Sequence, residues 1–195
     1  MLLPRRCVIC GRRLLVGEEV ICVTCDLNLP RLQGSNLHIM ERFQGRAEVE
    51  RVTAFLYYTA KSSMAKLLYA KYHHRRDVAR KMGRRMAINI QPADFFHGIE
   101  YIVPVPLTKG RRRDRGYNQC EEMALGVSEV TGIPVIPDCL KRTNFRVSQT
   151  SLDFYERLEN VKGCFSLNDE RKDLLKGRHV LLLDDVITSG ATSIE

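Results

Sequence analysis

The spacing of apolar residues along the chain changes several times, and each change marks an element. Between Arg51 and Thr59, Val52, Ala54, Leu56 and Tyr58 alternate with their neighbours, which is the two-residue period of a half-buried strand. Met64, Leu67, Leu68 and Tyr72 then recur at helical spacing, and a second, strongly basic helix is predicted over about Asp77–Ile88. His73 and His74 fall at the junction and read as a solvated helix end, because no acidic or thiol partner lies near them in sequence. Tyr101–Val105 reads as a short apolar strand, Gly116–Val130 as a helix and His179–Leu183 as a final strand. Strands alternating with helices predict an α/β domain whose mostly parallel sheet is covered by helices on both faces. Residues 1–45 lack that alternation and read as a small module followed by a connector over Pro30–Gly45, which leaves 46–195 for the α/β domain.

A length of 195 residues suits one such domain plus an appendage, and the 44% hydrophobic and 28% charged residues are ordinary for a globular chain. No apolar run is long enough to span a bilayer. The opening Met-Leu-Leu-Pro-Arg-Arg-Cys has no signal-peptide apolar core, so a cytoplasmic location is expected. The net charge of +8 is compatible with phosphate-bearing partners without specifying one. Its densest cluster is Arg111, Arg112, Arg113 and Arg115.

Four of the seven cysteines form two CxxC pairs, Cys7/Cys10 and Cys22/Cys25. In a reducing compartment this pattern reads as metal binding. Two intervening residues let both sulfurs of a pair converge on one ion, and four thiolates close a tetrahedral shell, the pattern of structural zinc. Iron fits the same residues. A redox dithiol normally uses one CxxC, not two. The segment has few apolar residues, so the metal is expected to supply much of its folding free energy. Cys120, Cys139 and Cys164 read as small buried thiols with no base partner.

The richest stretch is Val180-Leu181-Leu182-Leu183-Asp184-Asp185-Val186-Ile187-Thr188-Ser189-Gly190-Ala191-Thr192. Its apolar run reads as a strand buried on both faces. It ends in two carboxylates, at the end of a strand where open α/β sheets bind ligands. Small hydroxylated residues and a glycine follow and lead into a helix, which offers backbone N–H groups to a phosphate. A Walker B strand would also end in acids, but the chain has no Gly-x-x-x-x-Gly-Lys-Ser/Thr loop to pair with it.

This run resembles, position by position, the signature of phosphoribosyltransferases that use phosphoribosyl pyrophosphate (PRPP). Two further blocks resemble ComF proteins in particular. One is Ile102-Val103-Pro104-Val105-Pro106-Leu107 with Arg113-Asp114-Arg115-Gly116-Tyr117-Asn118-Gln119. The other runs from Leu140-Lys141-Arg142 through Gln149-Thr150 and Arg157-Leu158-Glu159-Asn160 to Gly163-Cys164-Phe165. With the cysteines ahead of them, the resemblance covers nearly the whole chain in order.

The resemblance implies a type I phosphoribosyltransferase-like fold behind an N-terminal zinc module. It implies that Asp184 and Asp185 hold the ribose hydroxyls and that Thr188, Ser189, Gly190, Ala191 and Thr192 hold the 5′-phosphate. Arg111, Arg115, Lys141 and Arg142 are the candidates for pyrophosphate contact, since guanidinium forks suit its oxygens; a solvated basic surface or a nucleic-acid contact fits the same residues. The implied cofactors are structural Zn²⁺, and Mg²⁺ accompanying PRPP. The implied reaction is displacement of pyrophosphate by a nitrogen acceptor, with no residue identifiable as a general base. The competing reading is a non-enzymatic competence protein that handles single-stranded DNA, a PRPP sensor among its variants, with partners such as a DNA-uptake helicase. The chain has no Trp and no stacking platform interleaved with its basic residues. ComF proteins continue past the helix that Ile194-Glu195 begins, so a missing C-terminal helix and strand, and a poorly supported phosphate loop, are expected.

Overall fold

The computed structural model describes residues 5–32, 37–57, 66–67, 75–142 and 161–195. In chain order, the elements of the first part are α1 (Val23–Leu27), α2 (Leu37–Met40) and α3 (Arg76–Ile90). Then come β1 (Tyr101–Pro104), α4 (Lys109–Arg115) and α5 (Gln119–Thr131). The last are β2 (Leu140–Arg142), β3 (Phe165–Leu167), α6 (Lys172–Leu175), β4 (Val180–Leu183) and α7 (Ala191–Ile194). Among the described residues no helix is long and apolar enough to cross a membrane.

The chain is a mixed α/β structure organised around one parallel strand pair. β1 and β4 run parallel, with Ile102 opposite Leu181 and Val103 opposite Leu182. On its other side β1 makes a single parallel bridge to Val135, through Ile102 N–H to the Pro134 carbonyl and Ile136 N–H to the Ile102 carbonyl. Pro104, two residues on, has no N–H to extend that ladder, so the pairing stops after one bridge. β2 and β3 form a separate antiparallel pair.

Strand alternation sorts the side chains of the parallel pair. Ile102, Leu181 and Leu183 face α3 and α5 and join a core with Ala79, Ala87, Cys120, Ala124 and Val127. Val103 faces the opposite way, against Ile136, Cys139 and, from α6, Leu175. On that second face Val180 is 41% exposed and Leu182 37%. Among the described residues, then, β4 is more fully covered on the face that meets α3 and α5 than on the other. The two long helices pack against the same side of the sheet, and among the described residues α6 packs on the other through Leu175.

The two long helices cross without space between their backbones. A Cβ added to Gly83 of α3 would overlap the Met123 carbonyl, and one added to Gly126 of α5 would overlap the Arg80 carbonyl. Arg80 and Arg84 of α3 both pair with Glu129 of α5, at 2.8 and 3.5 Å.

The N-terminal module packs on α3 as well. Ile9, Leu14, Val20 and Ile21 share a core with Val78 and Met82, and Asp26 receives Arg85 of α3 at 2.6 Å. Its few apolar residues thus find partners in the neighbouring helix.

Three sequence expectations change in the structure. Arg51–Tyr57 forms no strand: it makes one antiparallel bridge, Leu56 to Arg31, and buries Phe55 instead of the residues of opposite parity. Its backbone pairs with the short Pro30–Leu32 stretch, through Leu32 N–H to the Phe55 carbonyl and Tyr57 N–H to the Pro30 carbonyl. The Pro30–Gly45 connector contains α2 and buries Ile39 and Phe43, one helical turn apart. The arginine cluster is the helix α4, capped by Thr108 and closed by Gly116 at φ 72°, so the long helix begins at Gln119 and not at Gly116. Tyr58, Thr59, Met64, Leu68, Tyr72, His73, His74, Gln149-Thr150 and Arg157–Asn160 lie outside the described residues; Lys66 and Leu67 are helical, with Leu67 buried.

Candidate functional site

The first candidate is a metal centre. The Sγ atoms of Cys7, Cys10, Cys22 and Cys25 all lie within 4.8 Å of one another. The Cys10–Cys22 pair is 3.8 Å apart, which matches the edge of about 3.8 Å for a tetrahedron with Zn–S bonds of about 2.3 Å. Backbone N–H groups point at the sulfurs, from Cys22 to Cys7 and from Cys25 to Cys22, both at 3.4 Å. Those donors favour thiolates, and Cys22 is pulled down to about 6, chiefly by the Cys25 N–H. Glu18 braces the fold of the site. Its buried carboxylate accepts from the N–H groups of Leu15 (2.7 Å) and Val23 (2.9 Å) and from the Arg12 guanidinium (2.6 Å). The donor set fits a structural metal such as zinc, with no open position for a substrate.

The second candidate lies at the carboxyl end of β4. Asp184 and Asp185 leave the strand beside the start of α5, and one ligand atom each from Cys120, Asp184 and Asp185 falls within 4.8 Å of the others. Asn118 caps α5 by accepting the Cys120 N–H (3.1 Å), and its amide donates to the Val105 carbonyl (3.0 Å) at the end of β1. The helix start is thereby tied to the sheet edge. Gln119 donates to Asp185 Oδ2 at 3.2 Å, the Cys120 thiol lies 3.7 Å from Asp184 Oδ1, and the Asp185 N–H donates to the same Asp184 oxygen at 2.7 Å. Burial, and then the neighbouring Asp185 charge, pushes the Asp184 carboxyl up to about 7.

The loop after the acids turns through Gly190 at φ 80° into α7. Among the described residues no acceptor pairs with the backbone N–H groups of Thr188, Ser189 or Gly190. The Ser189 hydroxyl accepts the Ala191 N–H at 3.4 Å. A small hollow of about 20 Å³ sits within residues 184 and 186–193. A larger cavity of about 420 Å³ opens onto Asp184–Thr188, with apolar walls that include Met82, Met86 and Met123.

The basic candidates separate. Arg142 turns inward: it donates to the Pro106 carbonyl at 3.3 Å, stacks 4.8 Å over the Phe165 ring and interacts electrostatically with Asp184. Lys141, its neighbour on β2, is exposed and projects from the opposite face of the strand. Arg111 is exposed and Arg115 half-buried on α4, while exposed Arg112 lies 3.5 Å from both Glu121 and Asp138. Cys139 and Cys164 are buried as expected. Cys120 is buried too, but it has a carboxylate partner that nothing in its local sequence points to. Gln119 was visible only as part of a family block, since the stretch Asn118-Gln119-Cys120 carries no mark of acids more than sixty residues away.

Comparison with known proteins finds relatives that match over nearly the whole chain. The chain is 26% identical to the Haemophilus influenzae protein named Competence protein F, over 96% of this chain and 86% of that one. It is 25% identical to DNA utilization protein YhgH of Escherichia coli O157:H7, over 98% and 88% of the two chains. It is 24% identical to Competence protein ComFC of Bacillus subtilis, over 95% and 67%. No family model and no solved structure matches the chain.

Proposed function

We propose, from the premise that the chain belongs to the ComF family, that it serves competence and DNA utilization through a phosphoribosyltransferase-like domain that binds PRPP or a related ribose 5-phosphate. The observation that carries this reading is the pair Asp184 and Asp185 at the carboxyl end of a parallel strand, followed by a glycine turn whose N–H groups have no acceptor among the described residues. The carboxylates suit sugar hydroxyls, and the amides of Thr188–Gly190 suit a phosphate. Inward-facing Arg142 suits the pyrophosphate better than exposed Lys141 does. The cavity beside Asp184 leaves room for an acceptor.

In the transfer reaction, a nitrogen lone pair of the acceptor forms a bond to C1. The C1–O bond breaks with its electron pair leaving on pyrophosphate, and the nitrogen's proton passes to solvent. Mg²⁺ bound with PRPP would neutralise the leaving group. The chain's own residues fix the sugar, hold the phosphate and exclude water.

Calorimetric titration of the zinc-loaded protein with PRPP and Mg²⁺ tests the reading. Saturable binding, lost in Asp184→Asn/Asp185→Asn, is the expected result; no binding in the parent protein refutes it. A second reading is favoured by the exposed arginines of α4, whose charge suits the backbone of single-stranded DNA. Oligonucleotide binding that weakens steeply with salt, and that ignores the aspartate substitutions, would support it.

A further inference from the structure

Gln119 is the first residue of α5 and is 4% exposed. Its Nε2 donates to Asp185 Oδ2 at 3.2 Å, but its buried Oε1 has no hydrogen-bond partner among the described residues. The nitrogen and oxygen of one amide are only about 2.2 Å apart, so the unpaired oxygen stands beside the acidic pair. Exchanging the two atoms would set the carbonyl against a carboxylate oxygen, with neither able to donate, so the network decides the orientation. The neighbouring Asn118 uses both ends of its amide, on Val105 and Cys120. The unmet acceptor thus belongs to the side chain that donates to Asp185. Buried acceptors are rarely left unmet, because burial removes the water that would satisfy them.

We propose that the Gln119 carbonyl is a specificity-determining contact, accepting a hydrogen bond from a hydroxyl of the sugar that Asp184 and Asp185 hold. The proposal rests on the ribose-phosphate reading above. A carbonyl accepts and cannot donate, so it repels phosphate oxygens and suits a ring hydroxyl, which carries a proton to give. Among sugar phosphates the site therefore favours a ribose over an analogue that lacks the contacted hydroxyl, because the analogue leaves the acceptor unmet.

The test pairs a deletion in the ligand with a deletion in the protein. Ribose 5-phosphate, 2-deoxyribose 5-phosphate and 3-deoxyribose 5-phosphate are titrated into the zinc-loaded full chain and into Gln119→Met and Gln119→Lys. Methionine removes both polar atoms, whereas lysine keeps a donor towards Asp185, removes the acceptor and adds a charge that acts on all three sugar phosphates alike. The parent protein is expected to prefer ribose 5-phosphate by about tenfold over one deoxy analogue, and both variants are expected to lose that preference, with ribose 5-phosphate affected more than the analogue. Equal weakening of all three sugars, with recovery in Gln119→Lys, would reduce Gln119 to a support for Asp185 and overturn the proposal. Binding of all three that ignores both substitutions would also overturn it. If the parent binds none of the sugar phosphates, the ribose-phosphate reading itself fails and takes the proposal with it. Zinc content and melting temperature show whether each variant is folded, and Gln119→Lys carries the test should Gln119→Met fail to fold.

Discussion

Replacing Gly126 by alanine sets local propensity against tertiary packing. Within a helix, alanine is better than glycine by about 0.8–1.0 kcal/mol, so Gly126→Ala would stabilise α5 if the helix stood alone. In the folded chain the new methyl group overlaps the Arg80 carbonyl and approaches the Arg84 nitrogen to 2.9 Å. Both are backbone atoms of α3, so no side chain can rotate out of the way, and the helices must separate. Overpacking costs about 1–3 kcal/mol where side chains can adjust, and a rigid backbone neighbour puts this case at or above the top of that range. After the propensity gain is subtracted, a net loss of about 2–3 kcal/mol is expected. For a chain of this size that lowers Tm by roughly 5–10 °C. Gly110 of α4 is the control: it is helical, and a methyl group there would meet nothing within 4 Å, so Gly110→Ala should leave Tm unchanged or raise it slightly. Thermal melts of the zinc-loaded proteins, followed by circular dichroism, compare the three. A Gly126→Ala melt at or above that of the parent would refute the close crossing. The same displacement would move Gln119 and Cys120 away from the acids, so weaker PRPP binding should accompany the lower melt.

Two further results are expected. Stripping the metal with a chelator should lower Tm by about 10 °C or more, because the collapse of the cysteine module uncovers Val78 and Met82 on α3; metal analysis should find one zinc per chain, and an unchanged melt after full removal would refute the structural role. The Asp184 carboxyl sits at about 7 against an ordinary value of 3.8, so between those values the folded state holds a proton that the unfolded chain releases. Its contribution makes stability fall as pH rises through that window and level off above it. Asp184→Asn should remove the slope and melt several degrees higher than the parent at pH 8, with the gap closing towards pH 4; parallel melting profiles across pH 4–8 would contradict this.

The cysteine cluster was legible in sequence because its four thiols lie within nineteen positions, in two pairs that converge through local turns. The strands β1 and β4 and the helices α3 and α5 were legible because apolar periodicity records which side of an element is buried. Helix α4 was missed because Lys-Gly-Arg-Arg-Arg-Asp-Arg has no apolar face; its only signals are the Thr108 cap and the Gly116 stop. The Arg51–Thr59 alternation misled because a strand needs a partner ladder, and the backbone offered the described part of that segment one bridge.

Local sequence thus determined the cysteine cluster, the order of the main elements and the carboxylate-to-glycine run after β4, since each depends on neighbours along the chain. Tertiary structure alone decided which side of the sheet α3 and α5 share and how closely the two helices meet. It also decided that Arg142 and not Lys141 turns inward, and that Gln119 and Cys120 meet Asp184 and Asp185. These depend on which elements pack together across long stretches of chain, and periodicity carries no record of that choice.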